Sequence, residues 1–291
     1  MKLSQKIVFS LLQLFSGMFK LFGLRATRLA AKFLGSLCYY FIPIRKKVVF
    51  ENLTTVFPEK PLSEIKIIAR HTYQNVLTTF FELIYFPYTT RSEMKSMLSV
   101  TNIKMTEDLL KENKGVVFWT GHFGSWEVGA ASAALHFGKP MHLLAKKQSN
   151  SLMNELLKRA REVHGNKMIW LGASVRHLIE VLKTGGIVGV VGDQRGPADS
   201  PRVSFFGKPT AFYTGTATII SRTNCNAIFG VVVRQRNGNY NSVFEKLEVE
   251  TLPNDPTEKI KEINQRFANF LEKNVRHNPD QYFWMHKIWK Y

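Results

Sequence analysis

The sequence predicts an α/β fold: one mainly parallel sheet flanked by helices, preceded by an apolar helical segment at the N-terminus. Two observations carry that expectation. From Val100 onward, short apolar runs alternate with helical stretches, the pattern of buried strands joined by crossover helices. Such a sheet is covered on both faces, which suits strands that read as continuous apolar runs. Ahead of this pattern, residues 7–24 and 29–44 are two mostly apolar stretches.

The elements follow in order. Residues 7–24 are interrupted by Lys20, and residues 29–44 contain Lys32, with Tyr39 and Tyr40 near one end. A spanning helix needs roughly 20 predominantly apolar residues, which the first stretch barely reaches with Lys20 snorkelling. No small-residue cleavage motif follows, so it does not read as a signal peptide. The flanking cations Lys2, Lys6, Arg25, Arg28, Arg45, Lys46 and Lys47 suit anionic headgroups, each worth about 1 kcal/mol near such a surface. Residues 1–47 are therefore expected to attach to a membrane, as a single span or an interfacial helix, and residues 48–291 to form one domain. Apolar spacing predicts a long helix over 63–86 and a shorter one over 91–98. Strands are expected at 116–119, 141–144, 168–170, 187–191 and 227–233, with helices between them at 125–137, 151–163, 174–183 and 214–222. A further strand over 240–248 and a closing helix over 259–275 complete the chain. Neither internal repeats nor a low-complexity linker break the domain.

Forty Lys and Arg against 22 Asp and Glu give a formal charge of +18. That excess favours a polyanionic partner: nucleic acid, an anionic membrane or a phosphorylated substrate. No basic tail or nucleic-acid signature accompanies it, and 22 phenylalanines tilt the balance toward lipid, so no nucleic acid is expected. The two cysteines, Cys38 and Cys225, allow no disulfide framework and no metal spacing, and they fit a reducing compartment. His136, His142, His164 and His177 lack ligand spacing. No cofactor and no metal is called for.

The most informative stretch is Thr120-Gly121-His122-Phe123-Gly124-Ser125-Trp126-Glu127, directly after a predicted strand. Side chains at such strand-to-helix turns line a crevice, and a histidine there is a candidate general base. Glu127 is expected to fix its tautomer and stabilise the imidazolium. Gly192-Asp193-Gln194-Arg195 ends a second strand and could face the same crevice. No Gly-x-Ser-x-Gly elbow supplies an acyl-enzyme serine, and neither cysteine sits at such a turn. This arrangement suits direct attack by a hydroxyl on an activated acyl group, which needs a base and donors for the oxyanion. His122 and Glu127 are the catalytic candidates; Arg161, Asp193 and Arg195 are the candidates for orienting substrate. The helix predicted to open near Thr214 offers N–H groups to an anion, or is an ordinary capped helix. A non-catalytic binder of anionic lipid or nucleic acid is the competing reading by charge alone, but a binder needs no base.

Five blocks in order resemble the bacterial lipid A biosynthesis acyltransferases. They are Glu51-Asn52-Leu53 with Phe57-Pro58-Glu59; Gly121-His122 to Glu127; Arg161 with Gly165; Asp193-Gln194 with Phe205-Phe206-Gly207; and Pro279-Asp280-Gln281-Tyr282 with Trp284, His286 and Lys287. Asp280 stands where the family's pattern has Glu, and Ile288 where many members carry Arg. The resemblance implies a fold like that of the glycerophosphate acyltransferases. It implies transfer of a fatty acyl chain from acyl carrier protein, with acyl-CoA as the alternative donor, to a hydroxyl of a glycolipid acceptor. It also implies the cytoplasmic face of the bacterial inner membrane, in contact with anionic lipids. Glu rather than Asp at the carboxylate position tilts the acceptor toward a lipid A precursor. A lysophospholipid, an aminolipid or another glycosylated lipid is the alternative.

Overall fold

The computed structural model describes residues 3–42, 44–172 and 175–290, with side chains from Gly17 onward. Helices α1 (Leu3–Phe41), α2 (Lys46–Val56), α3 (Leu62–Tyr85) and α4 (Arg91–Ser96) come first. Strand β1 (Leu98–Ser99) and helix α5 (Ile103–Lys111) lead into the alternating part. This runs β2 (Val116–Gly124), α6 (Trp126–Phe137), β3 (Met141–Ala145), α7 (Ser151–Glu162), β4 (Lys167–Trp170), α8 (Val175–Lys183) and β5 (Ile187–Val191). A hairpin of β6 (Arg202–Phe205) and β7 (Lys208–Ala211) precedes α9 (Gly215–Thr223), β8 (Asn226–Arg234), β9 (Tyr240–Lys246) and α10 (Pro256–His277).

The seven-stranded sheet has the order β1-β9-β8-β2-β5-β3-β4. Its neighbours are parallel except β8 and β9. The expected mainly parallel sheet is therefore present. Val49 and Leu53 of α2, Leu182 of α8, Ala217 of α9 and Phe267 of α10 pack in one apolar cluster, whereas Met94 of α4, Leu109 of α5, Val128 of α6 and Ala160 of α7 pack in another. Neighbouring strands β2 and β5 thus send their next helices, α6 and α9, into different clusters. This is the arrangement that opens a crevice at the carboxyl ends of strands.

Strand β2 runs five residues beyond its expected end, because a register shift against β8 between Thr120 and Gly124 lets it continue through a bulge. Gly124 closes the bulge with φ +56, and any Cβ there would collide with the Val232 carbonyl, so only glycine fits. Helices α2 and α5 and the β6–β7 hairpin were not anticipated. In the hairpin, Phe206 and Gly207 both take positive φ, the geometry of a two-residue turn. The block Phe205-Phe206-Gly207 is thus a hairpin turn.

The two apolar stretches at the N-terminus are one helix bent at Gly23, whose φ of +77 interrupts α1. Pro43, inside the second stretch, and Ser174, the expected start of α8, lie outside the described residues. No helix among the described residues is long and apolar enough to cross a membrane, so the single-span reading of residues 7–24 gains no support.

Candidate active site

Strand β2 and the turn after β5 bring His122 and Asp193 together at adjacent strand ends. The His122 Nδ1 lies 2.6 Å from Asp193 Oδ1, and the His122 backbone N–H donates to Oδ2 at 2.8 Å. With one Asp193 oxygen on the backbone and the other on Nδ1, the ring holds its proton on Nδ1 and presents Nε2. No described residue partners that Nε2. A fifth of the His122 side chain stays open, and it lines a cavity of about 960 Å³. The ring is braced edge-to-face by Trp126 at 4.9 Å and by the tilted ring of Phe283 at 5.7 Å.

Burial by itself pulls the His122 pKa down, but the charge and hydrogen bond of Asp193 outweigh it and raise the value above normal, with Glu127 adding to the effect. Burial conversely pushes Asp193 up, and the interaction with His122 overrides it, holding this carboxylate below its usual range. The buried Tyr282 hydroxyl also hydrogen-bonds Asp193, and its own pKa is pushed well up, first by burial.

Glu127 does something other than the sequence suggested. Its carboxylate accepts a bidentate pair from Arg161, Nε to Oε2 at 2.9 Å and Nη2 to Oε1 at 2.6 Å, plus the Trp126 indole N–H at 3.1 Å. The expectation that Glu127 orients the histidine is corrected, because Arg161 occupies both of its oxygens. Asp193, expected to touch substrate, holds the ring instead and is only 3% exposed. Arg161 and Arg195 both line the cavity. Arg195 also donates its backbone N–H to His286 Nε2 and its Nη1 to the Lys287 carbonyl. The His286 pKa is lowered chiefly by burial, so this ring is a neutral acceptor beside Asp193.

The carboxyl-terminal block, residues 279–287, closes the site. Phe283 N–H donates to the His122 carbonyl at 3.0 Å, and Phe123 bridges to Tyr282. Asn52 donates to the carbonyls of both Trp284 and His286 at 2.8 Å. Gln281 exchanges two hydrogen bonds with the Arg234 backbone, while Phe57, Phe206 and Trp284 meet ring to ring. His164, by contrast, is bound to Thr89 and has no place at the site.

The cavity beside His122 is lined by Gly129, Ala130 and Ala133 of α6 and by Phe118, Leu143, Gly189 and Gly230 of the strands. Most of its lining is apolar, and Lys146, Arg161 and Arg195 add cations to it. Such a site can hold an extended hydrocarbon chain with its polar end beside the Nε2 of His122.

The family described as bacterial lipid A biosynthesis acyltransferase matches residues 2–291. The chain belongs to this family. A lipid A biosynthesis acyltransferase of Shigella flexneri is 24% identical over 259 residues, covering 88% of this chain and 82% of that protein. A lipid A biosynthesis lauroyltransferase of Escherichia coli (strain K12) is 22% identical over 258 residues, covering 88% and 83%. This member of the lipid A acyltransferase family is therefore an acyltransferase, and its motif blocks, scattered in sequence, interlock around one histidine.

Proposed function

We propose that this protein transfers a fatty acyl chain from an acyl carrier protein thioester to a hydroxyl of a lipid A precursor, with His122 as general base. The carrying observation is His122 itself, fixed at Nδ1 by Asp193 and open at Nε2 to an apolar cavity. The acceptor hydroxyl oxygen attacks the thioester carbonyl carbon while Nε2 takes the hydroxyl proton. The tetrahedral oxyanion then collapses, the carbon–sulfur bond breaks, and the imidazolium returns the proton to the departing thiolate. An ester and a free thiol result. Asp193 stabilises the imidazolium between the two steps, the role of a carboxylate behind a catalytic histidine. Glu127 acts through Arg161, holding the guanidinium in the cavity wall where acyl or acceptor oxygens carry negative charge.

The mostly apolar lining suits the acyl chain, and the +18 charge suits an acidic carrier protein, a phosphorylated acceptor and the anionic cytoplasmic leaflet of the inner membrane. The relatives' names support lipid A biosynthesis as the setting.

Lipid mass spectrometry of cells with and without the protein, complemented by His122→Ala, tests the reading. A lipid A acyl count that falls on deletion and is not restored by the variant is expected, with in vitro rates down by about 10²–10⁴-fold, the usual worth of a general base. An unchanged lipid A beside an altered phospholipid or aminolipid would reassign the acceptor. Full transfer by His122→Ala would remove the base.

A further inference from the structure

Away from His122, the chain buries more positive charge than it balances. Glu82 of α3 is 1% exposed and meets two guanidiniums, Arg28 of α1 through Nε at 2.7 Å and Arg234 of β8 through Nη2 at 3.3 Å. Both arginine side chains are enclosed, with 14 and 10% of their surface exposed. The Tyr240 hydroxyl donates to the same carboxylate, and burial above all pushes its pKa well up, so it stays neutral. Two cations thus stand against one anion. A buried lysine could shed such an excess by losing a proton; a guanidinium cannot.

Hydrogen bonding shows the same shortfall. Arg28 Nη2 and Arg234 Nε and Nη1 are buried without a partner among the described residues. Buried donors are otherwise almost always satisfied, so three in one cluster call for a bound species. In a guanidinium, Nε and Nη2 share one edge. Arg28 therefore turns Nη2 to the side on which its Nε meets Glu82, and Arg234 turns Nε to the side on which its Nη2 does. The Tyr240 ring lies 6.0 Å from the Arg28 Cζ and 5.2 Å from the Arg234 Cζ, and it attracts both cations without neutralising either. The backbone closes the place. Helix α1 is seated on α3 through buried Ala31 and Gly35, where a Cβ on Gly35 would lie 2.6 Å from the Gln74 Cα. Gly238, at φ +88, comes up against Arg28, and a Cβ there would lie 2.8 Å from Nη1. We propose that Arg28 and Arg234 bind a chloride ion between them, beside Glu82 and beneath α1. Two cations and two anions then compensate one another. Water would satisfy the N–H groups but leave the charge. Phosphate and carboxylate are larger and more strongly hydrated, which suits a surface site and not an enclosed one. The bound ion clamps α1, α3 and β8 together. Arg234 also donates to Thr79, which donates to the Gly124 carbonyl, so the clamp reaches the catalytic turn. The site is independent of the acyl-transfer chemistry.

The test is thermal melting of the full-length protein at constant ionic strength, with gluconate replaced stepwise by chloride. The wild-type midpoint should rise by a few degrees and then saturate, as one-site binding to the native state requires. Arg28→Met keeps the apolar stem, removes the excess charge and leaves Arg234 paired with Glu82, so its midpoint should not respond to chloride. Bromide should act like chloride, and crystals grown in bromide should show anomalous density in contact with Arg28 Nη2 and Arg234 Nε. An unresponsive wild type would overturn the site. An equal rise in Arg28→Met, or a rise that never saturates, would assign the effect to general salt action on a +18 chain and overturn it as well. A bromide crystal holding only water at that position would do the same. Should Arg28→Met fail to fold, the bromide density decides alone.

Discussion

The carboxylate that matters most to His122 is the one farther away in sequence. Glu127 lies on the next helix and is spoken for by Arg161; Asp193, 71 residues on, takes both the ring and the backbone N–H. Pairing raises the His122 pKa above the ordinary imidazole value of about 6.5, so the neutral base forms at higher pH. The pH profile of kcat/KM is therefore expected to rise through an apparent pKa above that value. In Asp193→Asn the attraction is gone and burial, which lowers the histidine pKa, is left. The rising limb should move to lower pH while kcat drops on the order of 10²-fold or more, as the amide no longer balances the imidazolium. Glu127→Gln keeps Asp193 in place, so its limb should move less, and its defect should follow from a loosened Arg161. The same linkage acts on folding. The raised His122 contributes stability below the ordinary imidazole value and loses it as pH rises through the raised one. Asp193, held low, contributes stability above the usual carboxylate range and loses it in acid.

At the scale of elements, the carboxyl-terminal block behaves as a lid that is hydrogen-bonded shut rather than as a fold element of its own. Asn52 on α2 holds it by two carbonyls 232 and 234 residues away. Asn52→Ala would leave those carbonyls unpaired in a buried place at a cost of about 1–3 kcal/mol. The measurable result is a lower urea midpoint together with weakened activity, because the same block supplies Tyr282 to Asp193 and Phe283 to the His122 backbone. This pairing also shows what the sequence could and could not reveal. Periodicity was enough to place β2, β3, β5, β8, α6 and α10, since burial on a sheet or a helix leaves its mark at spacings of two and 3.6. The turn at His122 was legible because it interrupts that pattern with glycines and a titratable group. Asn52, Tyr282 and the Asp193 pairing left no such mark. They are long-range contacts: Asn52 and Tyr282 stood out only within the motif blocks, and Asp193 read as a substrate ligand. The hairpin turn at Phe206 was hidden for another reason: its non-glycine residue adopts positive φ, held by Phe57, Trp284 and the Glu272 carboxylate.

Across the whole molecule, one buried charge network ties α1 to the catalytic turn. Glu82 on α3 is 1% exposed and accepts from Arg28 of α1 at 2.7 Å, from Arg234 of β8 at 3.3 Å and from the Tyr240 hydroxyl of β9. Arg234 also donates to Thr79, which donates to the Gly124 carbonyl. The path thus runs from α1 through one carboxylate to the bulge that shapes His122. Two guanidiniums share a single carboxylate, and Arg28 Nη2 with Arg234 Nε and Nη1 are buried without partners among the described residues. Such a cluster has little reserve. Glu82→Gln preserves shape but removes the carboxylate that both guanidiniums contact, leaving two largely buried cations beside the Tyr240 ring. Breaking a buried ion pair in this way costs about 3–5 kcal/mol. The expected outcome is a clear fall in the urea midpoint, and hydrogen exchange should show it concentrated in α1 and the 234–240 segment rather than spread through the sheet. If the variant instead unfolded uniformly, Glu82 would be supporting the core as a whole. If its stability were unchanged, the α1 packing would rest on the Ala31–Gly35 seam alone. A loosened α1 with an intact sheet would mean that the seating of α1 and the geometry of the catalytic turn are held by the same carboxylate.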